Sequence, residues 1–438
     1  MITQLVEYLH RVRSSFWFVP GIMSVAAIAL AMATIASDET ATSWLERAGL
    51  TFTGGAEAAS AVLQTIASSM ITIAGVIFSM TLVALTLTTS QYGPRLLRTF
   101  MRDTTTQVVL GTFVATFLYC LVVLRSIRRA EEATFVPHLA VTFGVLLAVV
   151  SVGFLIYFIH HIALSIQADE VVVRVAHELH GAIDRLFPES AGAAAAELRA
   201  VPDEAELPEA FEREARTVRA AGDGYIQSID SESVIALARE EDVLIRVELG
   251  PGSYVMSDCP LARAWPASRV SDRLEDGIRG AFILGNQRTT EHDIDFAVQQ
   301  LVEIAVRALS PSLSDPFTAV RCVDRLGSAL SRVAQRNMPP SFRYDEEGRL
   351  RLVAPVVTFP SIADAAFDQI RRHSGTSAAV TLSLLDTIAV VAEFASLPED
   401  RAALRRQADM IARGAREGLS EAEDRREVEQ RLGRVHTM

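Results

Sequence analysis

The chain contains no lysine; all 41 of its Lys-or-Arg positions are arginine. Uniform arginine follows codon composition, so no arginine is read as a phosphate ligand on identity alone. Cysteine is almost as scarce. Cys120, Cys259 and Cys322 stand far apart, none in a C-x-x-C pair, which argues against a structural zinc site and a disulfide scaffold and fits a reducing compartment. No G-x-S-x-G, Walker loop or G-x-G-x-x-G occurs, so no motif points to an enzyme or to a bound cofactor. The most informative absence is of charge. Residues 16–37, 67–89, 108–124 and 139–159 hold no Asp, Glu, Arg or His.

Each of these runs is long and apolar enough to cross a bilayer, which takes roughly 20 residues. The first, "FWFVPGIMSVAAIALAMATIAS", is too long for a cleavable signal peptide and lacks a small-residue cleavage site. A proton-coupled carrier needs an intramembrane carboxylate or histidine to hold its coupling ion. None is present, which favours a passive pathway over a pump or antiporter.

Charge divides the chain unevenly. Residues 1–165 carry nine Arg and eight acids, net +1, while the remaining 273 carry 32 Arg and 45 acids, net −13. So acidic a region repels nucleic acid and anionic lipid surfaces. Arg11 and Arg13 precede the first span, and Arg95, Arg98 and Arg102 lie between the second and third. The first loop has Arg47 alone against Asp38, Glu39, Glu46 and Glu57. An excess of arginine on the inner side then places both termini in the cytoplasm. Arg125, Arg128 and Arg129 fall on the outer side in this scheme and oppose it, with Glu131 and Glu132 beside them.

The fourth span keeps its helical apolar period through Ile162, Ile166, Val173, Leu179 and Phe187 up to Pro188, which predicts one helix running from the membrane into the cytoplasm. The Ala/Glu-rich stretch that follows reads as a linker, so 1–165 is taken as the membrane domain and 166–221 as exit helix plus linker. From residue 222 short α/β units begin. "GYIQSID", "VLIRVEL" and "LRLVAPVVTF" read as strands, and "SESVIALAREED" as a Ser-capped helix. "TTEHDIDFAVQQLVEIAVRAL" is an amphipathic helix begun by Thr290, and "SDPFTAVRCVDRLGSALSRVAQ" another with Pro316 in its first turn. The remainder to 438 is helical. The fold class expected is a four-helix transmembrane domain followed by a cytoplasmic α/β (α+β) domain.

"TTSQYGPRLLRTFMRD", "IHHIALSI", "GYIQSID" and "QRTTEHDIDFAVQQLVEIAVRALSPSLSDPFTA" together resemble a bacterial family of predicted membrane proteins, domain of unknown function 2254. The likeness covers most of the chain. It implies four N-terminal spans and a cytoplasmic α/β domain, and brings no particular activity. The family pattern has Asn where this chain has Ser314, so no role can rest on that amide here.

The second span carries the sharpest pattern. Thr65, Ser69, Thr72, Val76, Ser79, Val83, Thr86 and Ser90 recur at alternating spacings of four and three, one small and mostly hydroxylated stripe along a helix. Two readings stand: close packing between helices of one bundle, or the lining of a pore in a symmetric oligomer, for which Ser69, Thr72, Ser79, Thr86 and Ser90 are the candidate residues. Arg95, Arg98 and Arg102 at one mouth and Arg125, Arg128 and Arg129 at the other would concentrate anions, or anchor lipid headgroups. Beyond Gly93-Pro94, which should end the second span, "RLLRTFMRD" forms a short interfacial helix that anchors or couples.

His160-His161 and His177-Glu178-Leu179-His180 depart from H-E-x-x-H and lack a third ligand nearby, so they read as interfacial or surface histidines and no metal is assigned. Asp315, with His292, Asp293 and Asp295 close in sequence, could belong to an enzyme loop. Its plainer function is to cap the helix that follows. The reading reached is a homo-oligomeric membrane protein with lipid as its surroundings: a passive, anion-preferring channel gated by its cytoplasmic domain. The alternative is a membrane-anchored scaffold or sensor whose domain binds a small molecule or ion.

Overall fold

In lipid a backbone can satisfy its polar groups only within the segment itself, and each of the four apolar runs is a helix. The computed structural model describes residues 16–37, 54–93, 103–130, 133–165, 167–187 and 207–437. The spans are α1 (Phe18–Ala36), α2 (Ala56–Tyr92), α3 (Thr104–Ser126) and α4 (His138–Ser165), and all four are long and apolar enough to cross a membrane. Between α3 and α4 the chain forms an antiparallel hairpin, β1 (Arg128–Ala130) and β2 (Ala133–Phe135). The residues fall into two compact units, Met1–Glu170 and Val171–Met438.

In the first unit α3 is the hub, packed against α1, α2 and α4. Its Gly111 lets α1 approach closely, since a Cβ there would meet the Pro20 backbone at 3.2 Å. The Tyr119 hydroxyl donates to the carbonyl of Ala140 at 3.0 Å and lies 3.0 Å from the Thr34 hydroxyl, so one buried phenol ties α3 to α4 and α1. Thr116 and Ser151 meet at 3.2 Å one turn deeper.

The single helix expected from the fourth span into the cytoplasm is two. α4 stops at Ser165 and α5 (Ala168–Leu186) begins three residues on. Asp169 and Glu170 occupy the first turn of α5, where carboxylates favour a helix start. The continuous apolar period concealed this boundary. Within the second unit α5 buries Val171, Val175, Leu179 and Ile183, and Asp184 accepts from Arg332 at 2.8 Å and from Arg336 at 2.8 Å.

Two sheets follow. The five-stranded one has the order β3 (Arg216–Arg219), β7 (Pro260–Trp265), β5 (Leu244–Val247), β10 (Leu350–Val353), β9 (Phe342–Tyr344), antiparallel except for β5 beside β10. The smaller is β6 (Tyr254–Val255), β4 (Gly224–Ile229), β8 (Phe282–Gly285). They share a core of Val218, Ile226, Ile245, Leu261 and Leu352 with Val234 of α6 (Ser231–Glu240) and Leu274 and Ile278 of α7 (Asp272–Ala281). Six longer helices follow among the described residues, besides the single turns Phe211–Glu214 and Ala267–Arg269: α8 (Ile294–Ala308), α9 (Pro316–Ala334), α10 (Phe359–Ser374), α11 (Ala378–Phe394), α12 (Pro398–Gly418) and α13 (Ala422–Thr437).

Three helices of this unit start on aspartates, while Ser271 caps α7 and Thr358 caps α10. Asp230, not a serine, caps α6, accepting from the Ser233 N–H at 3.1 Å. Asp293, not Thr290, caps α8 through the Phe296 N–H at 3.0 Å. Asp315 caps α9, taking the Thr318 N–H at 3.1 Å and its hydroxyl at 2.6 Å. Ser314 just before it adopts φ 48°, a left-handed conformation that asparagine tolerates well.

Candidate functional site

The second membrane helix has two opposed seams. One is buried: Ala59, Leu63, Ala67, Met70, Ala74, Ile77, Ala84 and Thr88. The other is the hydroxyl stripe. Every stripe member except Val83 follows one of these seam positions by two residues, about 200° around the helix, so the stripe points away from the partner helices. Thr65, Ser69, Thr72, Val76, Ser79, Val83, Thr86 and Ser90 are all exposed. Packing inside the bundle is therefore performed by the seam, and the stripe hydroxyls take no part in it.

Those hydroxyls are largely turned on their own backbone. Thr65 donates to the carbonyl of Ala61 at 2.7 Å, Thr72 to Ser68 at 2.8 Å, Thr86 to Leu82 at 2.8 Å and Ser90 to Leu87 at 2.8 Å. Ser69 and Ser79 have no such bond among the described residues. A hydroxyl that spends its proton on the backbone shows the outside an oxygen lone pair. From Thr65 to Ser90 the stripe runs about 38 Å at 1.5 Å per residue, longer than the ~30 Å hydrocarbon core.

α2 ends at Tyr92, as Gly93-Pro94 predicts: Gly93 leaves the helix at φ 115°, a conformation that favours glycine, with its N–H still bonded to Thr89 at 3.2 Å. Arg95, Arg98 and Arg102, with the short helix expected there, lie outside the described residues. Arg125 is exposed in the last turn of α3. Arg128 and Arg129 sit on β1, their backbones paired with Phe135 and Thr134.

Sequence reasoning missed a contact at the Gly93 side of the bundle. Asp103 caps α3 through the Thr105 N–H at 3.3 Å and the Thr106 hydroxyl at 2.6 Å, and its Oδ2 also meets His161 Nε2 at 2.9 Å. His161 stacks on Tyr157 of its own helix. The Asp-x-x-Thr start of α3 was visible in the sequence; its link to α4, 58 residues on, was not. His160 is exposed, as is His177. His180 is half-buried, with no partner for Nε2 among the described residues; burial, then the nearby Arg332, lowers its pKa. Asp315 is held by its capping bonds, while Asp293 accepts two bonds from Arg288, at 2.6 and 2.9 Å.

The family described as predicted membrane protein (DUF2254) matches the chain over residues 13–390. The chain belongs to this family. Two uncharacterized proteins, from Mycobacterium tuberculosis and Mycobacterium bovis, are similar to it: each is 34% identical over 382 residues, covering 86% of this chain and 72% of the relative. No solved structure matches the chain at a significant level. Membership of DUF2254 agrees with the four apolar helices.

Proposed function

We propose that this membrane protein forms a passive ion pathway: several copies meet around an axis, the α2 stripe lines the passage, and the C-terminal unit controls its opening. The setting is a bacterial inner membrane with both termini in the cytoplasm, as the arginines flanking the first three spans suggest. The observation that carries the reading is the outward direction of all eight stripe positions. A membrane-length row of hydroxyls that its own bundle does not use suits a second copy or water. The reading assigns no catalytic chemistry and no cofactor.

The ion it favours differs from the anion anticipated from the arginines. Four of the six stripe hydroxyls bond to backbone carbonyls. They therefore offer acceptors, which replace the hydration shell of a cation, whereas an anion needs donors. A small monovalent cation fits the stripe better.

One experiment tests lining and orientation together. In a background without native cysteines, single cysteines at Thr65, Ser69, Thr72, Ser79 and Thr86 should react with a small charged thiol reagent, while one at Ile77 stays protected. The Thr65 position should react faster from the periplasmic side and Thr86 faster in inverted vesicles. In liposomes the purified protein should pass potassium in preference to chloride. Uniform protection along the stripe, with no flux, would leave the membrane-anchored scaffold as the better reading.

A further inference from the structure

We propose that the C-terminal unit binds a small monoanion with an apolar body, of the carboxylic acid class, in the cavity that Arg343 enters. This stands whether or not the membrane helices conduct. The cavity holds about 190 Å³. The end of α5, the strands β4, β5 and β10, and the start of α8 supply its apolar walls, including Phe187, Val247, Ile294 and Leu352. Among the described residues Arg343 and His292 are its only ionisable lining residues, and no carboxylate lines it. His292 is exposed at the rim.

Arg343 differs from the other buried and half-buried arginines Arg351, Arg336 and Arg288 of this unit. Arg351 donates to Asp345 at 2.6 Å and to Asp242 at 2.8 Å. Arg336 donates to Asp184 at 2.8 Å, and Arg288 to both oxygens of Asp293. Arg343, half-buried on β9, has no acceptor for its guanidinium among the described residues. Burial lowers its pKa, with no neighbouring anion among the described residues to offset the effect. A cation taken from water without a partner is unfavourable, and a ligand that supplies the missing anion recovers that loss.

The chemistry of the occupant follows from the walls. One fixed charge matches one negative charge, and the planar guanidinium fork matches a carboxylate through two parallel bonds. The apolar lining asks for a hydrocarbon body. The volume is below the roughly 300–1,000 Å³ of sites for drug-sized ligands, so a short acyl or aryl acid fits and a two-chain lipid does not.

The test uses the full chain in phosphatidylcholine nanodiscs, titrated calorimetrically with octanoate, with empty discs subtracted. Octanoate should bind saturably at one site per chain, while octanol and octylamine show no saturable binding. Arg343→Gln should weaken octanoate at least about tenfold, the loss of one charge-assisted bidentate contact. Ala354→Leu, which fills the cavity from beyond β10, should abolish binding, with both variants checked for folding by circular dichroism and melting. Phosphatidylglycerol in the discs should leave the affinity unchanged; competition by it would assign the site to a lipid headgroup and overturn the free-acid proposal. Equal octanoate binding by Arg343→Gln and the parent, equal binding of octanol, or no saturable binding at all would each overturn it too. The comparison of octanoate with octanol and octylamine needs no variant to fold.

Discussion

The second and third membrane helices are equally apolar, with a mean hydropathy of 2.2 in each, yet 61% of that window is buried in α3 and 22% in α2. Lipid is as apolar as leucine, so hydropathy inserts a helix without choosing its neighbours. What makes α3 the hub is local detail: a glycine at position 111 under α1, the Tyr119 hydroxyl shared between α1 and α4, the Thr116–Ser151 contact. α2 touches the bundle through one alanine-rich seam and turns its hydroxyl stripe outward.

Large-to-small changes on the two helices should separate most widely. Phe113 of α3 is fully buried, and Phe78 of α2 is 41% exposed. In a detergent unfolding titration Phe113→Ala should lose about 3–5 kcal/mol, whereas Phe78→Ala should stay within ~0.5 kcal/mol. Equal losses would break the contrast and show that another copy covers the outer face of α2 in the purified protein.

The contrast also explains what the sequence allowed to be read. The four spans, the Gly93 stop, the Asp315 cap and the α+β character of the second unit were legible because charge, backbone chemistry and water-driven amphipathicity each leave local patterns. Which face of α2 looks outward was not, because its seam and its stripe carry the same four-three spacing. The Ser165–Ala168 interruption hid under continuous apolar periodicity. β8 and β9, four and three residues long, are too short to show alternation. Arg343 could not be singled out among 41 arginines, since its distinction is a missing partner, and partners come from folding.

A smaller effect should come from the hub's polar tie. Tyr119→Phe keeps the ring and removes only the hydroxyl that reaches Ala140 and Thr34. Interhelical hydrogen bonds in bilayers average near 0.6 kcal/mol, so a loss of about 1 kcal/mol is expected in the same titration. A loss as large as that of Phe113→Ala would mean that polar contacts rather than packing hold α3 at the centre.

The smallest effect lies in the second unit, where water does sort the side chains and a misfit shows itself as pH dependence. Asp295 has a buried Oδ1 with no partner. Burial, then the neighbouring Asp293, raises its pKa above the ordinary carboxylate value. A carboxyl with a raised folded pKa adds stability that is fully present below its unfolded value and is lost as pH rises through the folded one. At neutral pH its ionised form is therefore a burden on the fold. Asp295→Asn should raise the melting temperature modestly near pH 7, and the gain should vanish near about pH 4, where the parent carboxyl also becomes neutral. Asp293 should not behave this way, because Arg288 and the Phe296 N–H satisfy it, and Asp293→Asn should destabilise at neutral pH. If Asp295→Asn also destabilises there, the Asp295 carboxylate has a partner in solution. The difference between the two aspartates would then be one of geometry rather than of charge.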